Sequence, residues 1–192
     1  MQAASDSPAR SAAAVRDRTG RPGGPEVTEP FGFSRTGGRV THRIESRAMA
    51  EFPHRYTVRA QSRPEGDVAI SSPSLPELAT APPAEFGGPG DRWSPETLLV
   101  AAVADCFVLS FRAVARASKV EWTTLECEAV GTLDRADRVT RFTEFMVKAK
   151  LRVPEGVAED RARRVLEKAE ASCLITNSMK AETHLEATVE VG

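Results

Sequence analysis

The chain has 192 residues, with 26 Lys and Arg set against 27 Asp and Glu and a net charge of −1. That length supports one domain with a sizeable core. So even a balance, with no Lys/Arg block, excludes the basic surface that nucleic acid or an anionic membrane selects. The longest apolar run, Leu98 to Ala104, ends at Asp105 and falls well short of the roughly 18 residues of a membrane span. Three cysteines without a Cys-x-x-Cys pair, and His42, His54 and His184 away from them, argue against a disulfide-stapled secreted scaffold and against zinc. A reducing cytoplasm is the expected compartment.

Residues 1–48 contain no Leu and no Lys and are rich in Arg, Gly, Pro, Ser and Ala. Such a stretch buries too little apolar surface to offset its ordering entropy, so a disordered N-terminal extension is expected there, with the folded domain over 49–192. It lacks the apolar segment of a secretory signal, and Met49 is a candidate translation start. From Tyr56 to Ala60 the alternation predicts a strand, Arg63 to Asp67 a turn, and Val68 to Ile70 the returning strand of a hairpin. Pro73 to Pro83 and the Phe86-Gly87-Gly88-Pro89-Gly90 loop read as irregular.

Ser94-Pro95 opens a helix, the serine as cap and the proline at the first helical position, running to about Ala117. It is apolar on nearly every side, which predicts burial at the centre of the fold or in a subunit interface. Leu125 to Leu133 and Phe142 to Val153 alternate as two strands of a hairpin joined by Asp134 to Arg138. Ala158 to Ala171 is an amphipathic helix, and Thr183 to Val191 a final strand. The order is that of an α+β domain.

Chemistry concentrates on two thiols. Cys106 lies mid-helix among apolar residues, where burial alone raises a thiol pKa and leaves it inert unless a cation favours the thiolate. Cys173 follows the second helix and precedes Leu174-Ile175-Thr176-Asn177-Ser178. Cys127, between Leu125 and Ala129 on an alternating strand, reads as core. Two thiols distant in sequence suit redox chemistry in which one sulfur is attacked and the other resolves it. Glu96, in the first turn, stands ten residues before Cys106, about 15 Å along a straight helix. The two serve one site only if the helix bends or two copies of the chain meet.

The frame Ser94-Pro95-Glu96 to Ala104-Asp105-Cys106, the Gly-Gly-Pro-Gly loop before it, and Cys173-Leu-Ile-Thr-Asn-Ser near the C-terminus resemble the OsmC/Ohr family of thiol peroxidases, from about Phe52 onward. The resemblance implies an OsmC-like intertwined homodimer, its antiparallel sheets wrapped around long central helices, with sites at the subunit interface. It implies Cys106 as peroxidatic thiol, Cys173 as resolving thiol, Glu96 as the catalytic glutamate and Arg63, in the first hairpin turn, as the catalytic arginine, with Arg59 close by. An Arg held by Glu96 would favour the Cys106 thiolate. Attack on an organic hydroperoxide would give an alcohol and a sulfenic acid, which Cys173 closes to a disulfide. No bound cofactor or metal is implied; the reductant is an external dithiol, lipoyl-type or other. One feature departs from the organic-hydroperoxide branch and points to an OsmC-like branch: the segment after Cys173 is Leu-Ile-Thr-Asn-Ser, where that branch tends to have Pro. Asp105, just before Cys106, is a carboxylate that would oppose the thiolate.

Two other readings compete. One is a stress-associated domain that binds a small apolar ligand with little peroxidase activity. The other, weaker, is Cys/His acyl transfer, for which His54 and His184 are candidates by default.

Overall fold

The computed structural model describes residues 52–192. The expectations for residues 1–48 lie outside the described residues. Three short strands come first: β1 (Arg59–Gln61), β2 (Val68–Ser71) and β3 (Leu78–Thr80), an antiparallel meander in that order. The first hairpin turns at Gly66, whose φ of 92° suits a residue without Cβ. The expected strand from Tyr56 is shorter, and the proline-rich passage read as irregular contains β3. The meander meets the rest of the domain through the Ala81 amide, which donates to the Trp93 carbonyl at 3.0 Å, and through the Arg92–Asp67 ion pair at 3.1 Å.

Helix α1 (Pro95–Ser118) starts as its sequence dictates. The Ser94 hydroxyl accepts from the Thr97 amide at 3.1 Å, and the Thr97 hydroxyl accepts from the Ser94 amide at 2.8 Å. Two orphan donors of the helix end are thereby satisfied reciprocally. Val103, Phe107, Phe111 and Ala115 recur every four residues as one fully buried stripe. The expectation of all-round burial is met on that side alone within one chain: on the opposite side Leu109 is 51% exposed. An 18-residue window of α1 reaches a mean hydropathy of 2.0, so by length and composition it matches a membrane span, which the run-length reading had excluded. Asp105, Arg112 and Arg116 interrupt it, and its stripe packs on the sheet and second helix of this domain, which accounts for the composition.

Strands β4 (Thr124–Ala136) and β5 (Val139–Val153) form a long antiparallel hairpin. Its turn is tighter than expected: Asp137 and Arg138 both have positive φ, 54° and 66°, as a two-residue turn matched to strand twist requires. Helix α2 (Glu159–Ala171) then crosses back, and β6 (Glu182–Val191) pairs with β5 in parallel, Glu144 opposite Glu182 through Val153 opposite Val191. The sheet order is therefore β4-β5-β6, and an all-antiparallel sheet gives way at this pair, because a helical crossover returns the chain to the edge it left.

Phe145, Val147, Ala149, Leu151 and Val153 line the inner face of β5, all buried, and receive α1 and α2. Ala162, Val165, Leu166 and Ala169 are the buried stripe of α2. Arg161 donates to the Ser118 carbonyl at 2.7 Å and so ties α2 to the end of α1. The outer face carries charge pairs in register, such as Glu126 opposite Lys150 and Lys148 opposite Glu186, as a solvated sheet face does.

A two-thiol candidate site

The side of α1 facing away from the buried stripe carries Ala102, Asp105, Cys106, Leu109 and Ala113. The segment after α2 folds onto it. Ser172 closes the helix, its hydroxyl donating to the Lys168 carbonyl at 2.7 Å. A single 3₁₀ turn at Thr176–Ser178 follows, with the Asn177 amide donating to the Cys173 carbonyl at 3.1 Å. Side chains fix this turn: Asn177 Nδ2 donates to the Ala171 carbonyl at 3.1 Å, and the Ser178 hydroxyl to the Leu174 carbonyl at 2.7 Å. Cys173 is carried inward to 1% exposure.

The result is the approach of two thiols 67 residues apart in the chain, near enough that each shifts the other's titration. Both sulfurs are free thiols. Neighbouring groups of the turn favour the thiolates: the amides of Ile175 and Leu174 that of Cys106, and the Thr176 hydroxyl with the amides of Thr176 and Ile175 that of Cys173. The two environments pull the thiols apart. Burial pushes the Cys106 thiol up, and the nearby Cys173 adds to the rise beyond what the two amides recover. Burial also opposes the Cys173 thiolate, but the nearby Thr176 hydroxyl, the amides of the turn and Cys106 together outweigh it and hold the group below the ordinary thiol range. Cys127 meets burial alone, which pushes it up to about 11; it packs beside the core opposite Ala149.

Cys106 opens on a groove of roughly 560 Å³ closed on the other side by Ser172, Leu174 and Ile175. Its walls are apolar save for Asp105, Ser110 and Ser172, so it suits a small organic group. Glu96 lies elsewhere, beside Pro83, Phe86, Val100 and Phe142, and its Oε2 is buried without a hydrogen-bond partner among the described residues. Arg63 and Arg59 are exposed on the first hairpin. Among the described residues no guanidinium acts on the Cys106 thiol and no ion pair holds Arg63 or Arg59. One chain thus brings together Cys106 and Cys173 but not Glu96 or Arg63. His184, between Glu144 and Glu182 at 3.8 and 3.7 Å, and His54, beside Phe52, line no part of this groove. Sequence reading missed the amides of Leu174 to Thr176 and the Thr176 hydroxyl; the signal available was a hydroxyl residue three places after the second cysteine.

A long apolar helix on a mixed sheet, with a paired thiol at its exposed side, defines an OsmC-like domain. The model of the OsmC family, described as "OsmC-like protein", matches residues 88–188, and the chain belongs to that family. It is 27% identical over 115 residues to the protein YmaD of Bacillus subtilis (strain 168), spanning 57% of this chain and 77% of that one. Among solved structures, it resembles an OsmC-like protein of Vibrio cholerae with a TM-score of 0.65 at 15% identity, over 71% of this chain and 100% of the other. The organic hydroperoxide resistance protein of Elizabethkingia anophelis, with thiocyanate bound, matches with a TM-score of 0.60 at 20% identity, over 74% and 100%. A Vibrio cholerae protein of the same description, with captopril in one of its active sites, matches at 0.56 and 22% identity, over 74% and 94%.

Proposed function

We propose that the protein is a two-cysteine thiol peroxidase that reduces organic hydroperoxides to alcohols at the expense of an external dithiol. The observation that carries this reading is that Cys106 lines an apolar groove whose other wall, Ser172, Leu174 and Ile175, flanks Cys173, the two thiols shifting each other's titration. The Cys106 thiolate attacks the distal oxygen of R–O–O–H; the O–O bond breaks, the alcohol leaves with the proton, and Cys106 becomes a sulfenic acid. The adjacent Cys173 displaces its hydroxyl as water and closes the disulfide. A dithiol, lipoyl-type or other, restores both thiols and leaves as its own disulfide. In this reading the protein works in the cytoplasm, with no bound cofactor.

The neutral Cys106 of a single chain needs a cation. In the reading proposed here a homodimer supplies it. The exposed side of α1 is covered by a second copy, whose first hairpin brings Arg63, or Arg59, to Cys106, while the unpartnered oxygen of Glu96 receives that guanidinium. Support comes from Leu109 on one surface and from Phe52, Tyr56 and Val58 on the other, all strongly exposed in one chain.

The test is intact mass after one equivalent of an alkyl hydroperoxide. The expected product is a loss of two hydrogens per chain, mapped to Cys106–Cys173, absent in Cys106→Ser; consumption of hydroperoxide by that variant at the full rate refutes the proposal.

A second reading has its own observation. Asp105 lines the same groove as a thiol whose pKa burial raises. A domain that holds a small apolar ligand and reacts slowly with peroxide fits that geometry. It predicts a hydrophobe co-purifying with the chain and no fast reaction of Cys106.

A further inference from the structure

The first hairpin, which carries Arg59 and Arg63, has few attachments to the rest of its own chain. Its meander faces the start of α1 across a cavity of roughly 510 Å³, with Ala60, Val68 and Ile70 on one wall and Glu96 and Leu98 on the other. No strand of the meander packs extensively on a helix or on the β4-β5-β6 sheet. Backbone pairing reaches its far strand alone: Thr80 of β3 bridges Trp93, and the Ala81 amide donates to the Trp93 carbonyl. The hairpin itself has a single polar tie. Arg92 Nε donates to Asp67 Oδ2 at 3.1 Å, while its Nη1 lies 3.0 Å from Asp91 Oδ2 and donates to the Asp91 carbonyl at 3.1 Å. Among the described residues no other side-chain hydrogen bond or ion pair joins residues 52–80 to the remainder.

Asp67 closes the loop 62–67. Gly66, at positive φ, turns the chain just before it, and Val68 begins β2 just after. Arg63 lies in the same loop. Arg92 and Glu96 stand on either side of Ser94, whose reciprocal bonds with Thr97 fix the helix start. One short stretch, 92–96, thus carries both the grip on the loop and the carboxylate proposed to receive a guanidinium. We propose that Arg92 is a positioning residue: through Asp67 it fixes the 62–67 loop, and with it the reach of Arg63. Arg92 and Asp67 are 43% and 42% exposed, so the pair adds little to global stability. Its effect is local, on a segment with few other attachments. The planar fork matters as well as the charge, because it spans Asp67 and Asp91 together, whereas an ammonium is a point charge. The inference rests on the role of Arg63 proposed above, and its two halves are measured apart.

Amide hydrogen exchange of the full chain, read by mass spectrometry on peptides covering β1 and β2, tests the tie without any peroxide. Arg92→Gln and Asp67→Asn are expected to speed exchange there about two- to fivefold, the range an exposed ion pair supplies, and to leave β5 unchanged. Salt at about 0.5 M screens the pair and should bring the wild type to the level of the variants without moving them. Arg92→Lys should fall between. Equal exchange in all these proteins overturns the proposal. The second half is a double-mutant cycle with Arg63→Ala, read as the rate of Cys106 with an alkyl hydroperoxide. Arg92→Gln is expected to slow that rate about two- to fivefold where Arg63 is present, and not at all where it is absent. Equal slowing on both backgrounds shows that Arg92 acts without Arg63 and overturns the positioning role. Arg63→Ala reacting at the wild-type rate overturns the role of Arg63 and this role with it, while the exchange result separates that failure from failure of the tie.

Discussion

Oxidation with one equivalent of an alkyl hydroperoxide should stabilise the fold, and the amount follows from the structure. Closing Cys106 to Cys173 ties off a loop of 67 residues, which removes enough denatured-state entropy to contribute about 4 kcal/mol. The usual discount for native strain is small here, because the residues flanking Cys173 already line the groove beside Cys106 in the reduced chain. Against the gain stands part of the turn's stabilisation of Cys173, about 1 kcal/mol. A net of about 3 kcal/mol corresponds to a rise in Tm of roughly 10 °C for a domain of this size. The assay is thermal or urea unfolding of the oxidised protein with and without dithiothreitol, with Cys173→Ser as control. A rise below about 3 °C, or an equal rise in the control, refutes the reasoning. A fall in Tm refutes it more strongly, since the backbone would then have to distort to close the bond.

Gly131→Ala should cost about 1–3 kcal/mol, because a Cβ there would stand 2.8 to 2.9 Å from Phe142 Cε1, Phe145 Cε1 and Val100 Cγ2, and Phe145 is fully buried. The urea midpoint should drop at unchanged m-value; an unaltered midpoint shows that the rings yield freely. Cys127, raised from 9.0 to about 11, stabilises the fold while neutral. That contribution is complete below pH 9, fades as pH rises towards 11, and amounts to no more than about 3 kcal/mol. Cys106, also raised, adds a slope of the same sign and Cys173, lowered, one of the opposite sign, so Cys127→Ala should flatten the alkaline loss of stability, as urea titrations from pH 8 to 11 would register. Asp105→Asn removes the carboxylate that shares the groove with Cys106 and should speed alkylation of that thiol several-fold at pH 7; slower alkylation would mean that the carboxylate acts as a base rather than as a repelling charge.

The sequence disclosed the elements wherever one physical signal acted alone. Ser94-Pro95 marked the start of α1, and strict alternation marked β4 and β5, whose inner residues Phe145 to Val153 are the buried ones. It did not disclose β3, because Leu78 to Thr80 lies among prolines that ordinarily break strands. Nor did it disclose the parallel pairing of β6, since alternation is the same in either direction. The two sulfurs could be singled out from their frames, yet the polarity between them could not. That polarity comes from the amides and hydroxyl of a turn, and a backbone donor has no letter in the sequence. The reach from Glu96 to Cys106 was legible as a length that one straight helix does not close. The structure places them in separate grooves.

The parallel return of β6 bounds the segment that carries the second thiol. Residues 172–181, which hold the second sulfur and its amides, bridge α2 and β6 and have no strand partners of their own. Their shape is fixed by side-chain bonds within the turn and by the two elements that bound it. The β4–β5 hairpin and α1 by themselves hold Cys106 with no second thiol beside it, since residue 173 lies beyond α2. Trimming the edge strand would uncouple the sulfurs without touching either one.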